Sequence, residues 1–285
     1  MVDGRLLGGI AAAALAAACF DGAVLLQARA AQAVGREHGL RLSLLARLAR
    51  RRLWVLGTAV AVAGWPLQLL ALSWAPITVV QPTLALGLVV ILLGGSRLLG
   101  ERVGAREWGA VGAVGAGVAV LALTAPGHTS ALPATGPAIA AGAVLAAAVA
   151  LPFVRGRDGR EGGWGLIVSA GCAFALAALT SKLLTVEAGR HHVAGVLVWA
   201  AATGAASAVG FLADMTAMQR FDVTRVAPPM FVLETALPVA LSPVLFGERW
   251  SGTPGGGAVL VAGLVLVLGG GAVLGRSRAV VDAVH

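Results

Sequence analysis

Val80-Gln81-Pro82 opens an apolar run that closes on Gly100-Glu101-Arg102, and Ala227-Pro228-Pro229 opens another that closes on Gly247-Glu248-Arg249 at the same spacing. Each run leads into a Gly/Ala/Val-rich segment, residues 108–123 in the first half and 256–274 in the second. Both repeats are too apolar for a water-soluble core. The pattern is therefore a duplication inside a membrane protein, and internal repeats of this kind are the usual build of secondary transporters.

Composition leads to the same class. Of the 285 residues 58% are hydrophobic and 12% charged, with mean hydropathy +0.89. Soluble domains carry about 25% charged residues, so a water-soluble fold is excluded. The net charge of +8 suggests nucleic acid at first sight. Nearly all of it, however, is arginine in short clusters between apolar runs, which is a membrane-topology signal and not a phosphate-binding face. Cys19 and Cys172 both fall within apolar segments and read as buried free thiols.

A helix needs roughly 20 apolar residues to cross the hydrocarbon, which predicts about nine spans here. They fall near residues 6–28, 53–73, 77–97, 108–124, 136–154, 164–185, 193–216, 226–246 and 255–274. The expected fold is thus an all-α polytopic membrane protein with two inverted-topology repeats. The first, 1–134, holds four spans and a basic loop, 35–52; the second, 135–285, holds five spans and a short tail. Placing that loop inside puts 16 of the 21 basic residues on the cytoplasmic side and leaves Arg5, Arg190 and Arg249 outside. This predicts an N-terminus outside, a C-terminus inside, and a bacterial cytoplasmic membrane location. A rival reading takes residues 6–19 as a signal-peptide core, but the apolar run continues through Leu26.

Within the loop, Leu40, Leu44, Leu45 and Leu48 recur at helical spacing. They suggest an amphipathic helix on the inner leaflet, with Arg47, Arg50, Arg51 and Arg52 near anionic lipids. A solvated basic loop that only enforces topology is the plainer alternative.

Several motifs together resemble a known family. Trp54 opens a span; Ala75-Pro76, Thr78-Val79 and Pro82 follow; Lys182 stands after Thr180-Ser181; Phe211-Leu212 lies in the seventh span; and Pro228 precedes Glu248-Arg249-Trp250. With Phe20 and Gly22 in the first span and the long basic loop after it, this set resembles the EamA-type half of the drug/metabolite transporter superfamily. It is most like the NIPA-like magnesium-transporter branch. The resemblance implies secondary transport by alternating access around a midplane cavity, with Mg²⁺ or another cation as substrate. A homodimer is compatible with it, and no cofactor is implied.

Ionisable groups inside spans cost at least ~2.5–3.5 kcal/mol each on insertion scales, so each one needs a reason. Asp21, Lys182, Asp214 and Glu234 are such groups. At about 1.5 Å per residue, the three acids fall toward the cytoplasmic side, and Lys182, Gln68 and Gln81 toward the outside. A carboxylate held in low dielectric can take a proton or a cation, so Asp21 and Glu234 are the candidate ion or metal ligands. Trp65, Gln68 and Phe231 would instead suit an organic solute.

Plainer roles stand beside these. Asp214 can reach the inner interface near Arg220, Lys182 can snorkel outward, and the glutamines can be interhelical glue. Pro82, Pro228 and Pro229 free carbonyls that can coordinate a cation, or simply occupy a span's first turn.

Enzyme signatures are missing from the sequence: there is no H-E-x-x-H, G-x-S-x-G or phosphate-binding loop. His128, His191 and His192 read as loop residues with no acidic partner at ligand spacing. Three functions therefore stand: a cation transporter, a proton-coupled transporter of a small organic metabolite or drug, and a non-transporting accessory membrane protein.

Overall fold

The computed structural model describes residues 4–32, 50–90, 92–93, 104–127, 133, 135–154, 162–220, 223–274 and 276. The basic loop beyond Gln32, Arg47 within it, the Gly100-Glu101-Arg102 motif and the C-terminal tail lie outside these residues. Among the described residues the protein is all-helical. The helices are α1 Gly4–Gln32, α2 Arg52–Trp74, α3 Ile77–Leu84, α4 Ala105–Leu123, α5 Thr135–Val154, α6 Gly162–Gly189, α7 Val193–Arg220, α8 Val223–Phe246 and α9 Ala258–Leu274.

Among the described residues, seven helices are long and apolar enough to cross a membrane. The expected spans at 77–97 and 136–154 appear as shorter apolar helices, Ile77–Val90 and Gly136–Leu151. Pro82 lies inside the first of these, and turn residues at Ala85 and Leu86 interrupt its helix before it resumes at Gly87.

The distribution of side chains is inverted relative to a soluble protein. Leu15, Val62, Leu123, Ile139, Val144, Leu197 and Val265 are exposed, whereas Ala13, Ala16, Ala173, Lys182 and Glu248 are buried. Lipid tails are as apolar as leucine, so burial here selects small residues that let backbones approach. The α4–α9 contact illustrates this. A Cβ on Gly117 would lie 2.6 Å from the Gly263 carbonyl oxygen, and one on Gly270 would lie 2.7 Å from that of Ala110.

Contacts between helices fix their relative directions. Gly9 packs on Ala75 and Gly64 on Phe20, so α1 and α2 are antiparallel. Thr203 donates to the Thr180 hydroxyl at 2.9 Å and Gly210 packs on Phe174, so α6 and α7 are antiparallel too. The Gly117–Gly263 and Ala110–Gly270 contacts make α4 and α9 antiparallel. These three pairs form the most extensive contacts of the bundle.

Candidate functional site

The chain arranges its buried polar groups on two levels. At one level, α2 ends and α3 begins across Ala75-Pro76. Residue 76 has no N–H, so the Leu72 carbonyl lacks the donor that would normally come from four residues on. Lys182 Nζ, from α6, donates to that oxygen at 2.8 Å. The start of α3 has the opposite need, since its first N–H groups have no carbonyl partner. Glu248 supplies it: Oε1 accepts Ile77 N–H at 2.8 Å and Oε2 accepts Thr78 N–H at 3.1 Å. The Thr78 hydroxyl also donates to Glu248 Oε2 and stands 2.9 Å from Ser242 Oγ. A carboxylate at a helix N-terminus faces the positive end of the dipole, and its hydrogen bonds are charge-assisted.

Glu248 reaches this position because α8 ends at Phe246 and Gly247 takes φ +66°, turning the chain back toward the bundle. Its side chain is fully buried, as is that of Lys182, and the two charges lie within electrostatic range of each other. These four pairs cross between halves of the chain: Lys182, Ser242 and Glu248 come from the second, and Leu72, Ile77 and Thr78 from the first.

The second level holds the acids. Asp21 on α1 and Asp214 on α7 are both within electrostatic range of Glu234 on α8. The Asp21 carboxylate occupies the space that a side chain at residue 87 would fill, since a Cβ on Gly87 would sit 1.5 Å from Oδ2. Among the described residues, Oδ1 of Asp214 is buried with no hydrogen-bond partner, and so is Nε2 of Gln81 on α3. Such orphaned groups are rare in native interiors and need an explanation.

The spacing of the levels can be read on several helices. On α1, Gly9 lies beside Ala75 at the Glu248 level, and Asp21 lies about 18 Å further along. On α6, Lys182 is at the Glu248 level, and Gly171, packed on Leu233, is about 16 Å away. Along the apolar segment Ile77–Val90, which begins with α3, Ile77 and Gly87 are about 15 Å apart at helical rise. The acids and the Lys182–Glu248 network are thus separate centres.

Of the residues expected to carry function, the structure brings Asp21, Asp214 and Glu234 together. Lys182 belongs to the other level, so it is not the acids' partner, and it does not snorkel: its side chain is 1% exposed. Asp214 does not reach outward but is buried. Gln81 is buried on α3 between the levels. Trp65 and Gln68 are half-buried on α2. Among the described residues no group of three or more His, Cys, Asp or Glu side chains converges to hold a metal.

Two expectations are corrected. His192 does have an acidic partner, because its Nδ1 lies 2.6 Å from Glu187 Oε2 across the α6–α7 turn. The reading from ligand spacing overlooked a contact made by the turn itself, in which His192 N–H donates to the Glu187 carbonyl. Glu248, read as part of an external motif, is a buried helix cap. A signal for it existed: a proline stripping Leu72 of its donor and a glycine directly before an acid at a helix end.

Comparison with protein-family models, with curated proteins and with solved structures finds no match for this chain.

Proposed function

We propose that this protein is a secondary membrane transporter of the drug/metabolite transporter type, not driven by ATP, with a cation as substrate or coupling ion. The observation that carries this reading is that Asp21 and Asp214, from two other helices, lie within electrostatic range of Glu234 inside a bundle whose outer face is apolar. Carboxylates at such depth are costly and mark ion pathways and proton relays. The unpartnered Oδ1 of Asp214 supports a bound cation or proton in the working cycle.

Alternating access around this site is supported by the helix directions. The segments equivalent in the sequence repeat are α1 and α6, α2 and α7, α3 and α8, α4 and α9. Measured from the Glu248 level to the acid level, the members of each of the first three pairs run oppositely, and α4 and α9 are antiparallel. That is the relation expected of inverted repeats 1–134 and 135–285 in a bundle of about nine spans.

Arg5, Arg190 and Arg249 lie at the Glu248 end, whereas Arg50, Arg51 and Arg52 begin α2 at the other and are exposed. In a bacterial cytoplasmic membrane the positive-inside rule then turns the Glu248 end outward and the arginines toward anionic lipid. Mg²⁺ is the first cation to test, since it keeps most of its waters and accepts one or two carboxylates.

A second reading is favoured by Gln81, whose buried amide donor lacks an acceptor. An oxygen-bearing organic solute driven by protons would supply one.

The test is flux in liposomes containing the purified protein, following Mg²⁺ and protons with internal dyes. Asp21→Asn and Glu234→Gln should each abolish flux while the protein stays monodisperse and folded. Undiminished flux in both variants would remove the acids from the mechanism. No flux of either ion, with no organic solute moved, would favour an accessory role.

A further inference from the structure

The network around Glu248 joins the two halves of the chain at one end only. Its ties cross from the second half to the first: Glu248 to Ile77 and Thr78, Ser242 to Thr78, Lys182 to Leu72. The groups they satisfy are the free backbone ends on either side of Pro76, which no other residue of the first half caps in this arrangement. The joint is therefore made by two side chains that can release together. Breaking it leaves two backbone termini that water can satisfy when that end is open, but that would be stranded if the end stayed dry.

At the other level the situation is reversed. Three carboxylates from α1, α7 and α8 have like charge, and repulsion between them favours separation unless a cation or proton is shared. One end of the molecule carries opposite charges and capped helix ends, and the acid level carries like charges. Gln81 lies on α3 one turn beyond the Thr78 contact, between the two.

We infer that Glu248, Thr78, Ser242 and Lys182 form a latch that closes the Glu248 end of the transport path, and that Glu248 must leave the start of α3 for the site to open there. This rests on the transporter reading above. Glu248 acts as a positioning residue: it touches α3, not the transported species. Opening hinges at Gly247, whose positive φ places the carboxylate inward, and at Ala75-Pro76, where the helix is already broken.

The experiment uses a cysteine at Gln81 as a reporter in full-length protein carrying Cys19→Ser and Cys172→Ser, reconstituted in liposomes. Modification by a membrane-impermeant maleimide is followed with time. With the latch intact the reporter should react slowly. Glu248→Gln removes the charge that its three hydrogen bonds depend on, and should raise the rate about tenfold, the scale of one charge-assisted bond. Thr78→Val keeps the shape, removes a single hydroxyl and should raise the rate by a smaller factor.

If Glu248→Gln is folded and neither variant changes the rate, the latch is overturned and Glu248 is only a helix cap. If Glu248→Gln fails to fold, Thr78→Val decides: a faster reporter supports the latch and an unchanged one overturns it. Flux is measured separately, with Gln81 restored. A faster reporter in a protein that carries no solute would leave the latch standing and sink the transporter reading. Normal wild-type flux with an unresponsive reporter would sink the latch alone.

Discussion

Lys182 donates its hydrogen bond to Leu72, the one carbonyl at the end of α2 whose usual donor is replaced by Pro76. A lysine on α6 is therefore matched to a defect in the backbone of α2, 110 residues away in sequence. The lysine is buried because the defect is buried.

Removing the ammonium should be expensive. Lys182→Met keeps the length of the side chain but leaves Leu72 without that donor and removes a positive charge that acts on Glu248. The expected loss is about 3–5 kcal/mol, the usual cost of breaking a buried charge pair from one side. Thermal unfolding in detergent checks it. A double variant with Glu248→Gln should lose clearly less than the sum of the two singles, because each removes the reason for the other.

Gly87 should tolerate nothing larger while Asp21 is present. A methyl group there would overlap the Asp21 carboxylate, with Oδ2 1.5 Å away and the Ala17 carbonyl oxygen 3.0 Å away. Gly87→Ala should destabilise by about 1–3 kcal/mol through overpacking. Asp21→Ala in the same chain should recover most of that loss, leaving only the tighter fit against Ala17. Additive losses in the pair would show that the two residues do not meet.

The α4–α9 seam separates two glycines of the same helix. Gly117→Ala pushes a methyl into the Gly263 carbonyl oxygen and should cost about 1–3 kcal/mol. Gly115 has nothing within 4 Å, so Gly115→Ala should be neutral or stabilise by about 0.5–1 kcal/mol through helix propensity. Unfolding temperatures of the two variants, measured side by side, test the seam. Equal effects would mean that α4 does not present residue 117 to α9.

The Glu187–His192 pair should matter little for stability. The His192 side chain is 62% exposed, so the interaction is screened by water. His192→Ala is expected to change stability by less than ~1 kcal/mol. Glu187 is itself buried, so Glu187→Ala should cost more than its partner's loss, and a chemical unfolding series would separate the two.

Much of the candidate site was legible before any coordinates. The depth of Asp21, Glu234 and Asp214 within apolar runs marked them, because a charge in hydrocarbon has so few structural excuses. Gln81 was marked by its place in a repeat. Trp65 and Gln68 were marked by residue type and depth, and the structure leaves them half-buried on α2. Depth along a span can be counted, but which way a residue faces depends on neighbours that the count does not contain.

Glu248 was hidden for a different reason. It sits past the end of its helix in a stretch that reads as exposed, and only the turn at Gly247 and the presence of α3 bury it. The Glu187–His192 contact was hidden likewise by a turn whose geometry no spacing rule describes.

The sequence by itself determined that this chain is a helical membrane protein, where most of its spans lie and which ionisable residues fall within them. Those are one-dimensional properties: hydropathy over about 20 residues, charge asymmetry and the lack of donors at proline. Only the tertiary structure decided which polar groups meet. The acids gather on one level and the Lys182–Glu248 network on another because α1, α3, α6 and α8 are brought side by side in fixed register by small residues. That register is a property of the packed helices together, since each close approach needs a gap on one helix and a carbonyl or side chain on its neighbour.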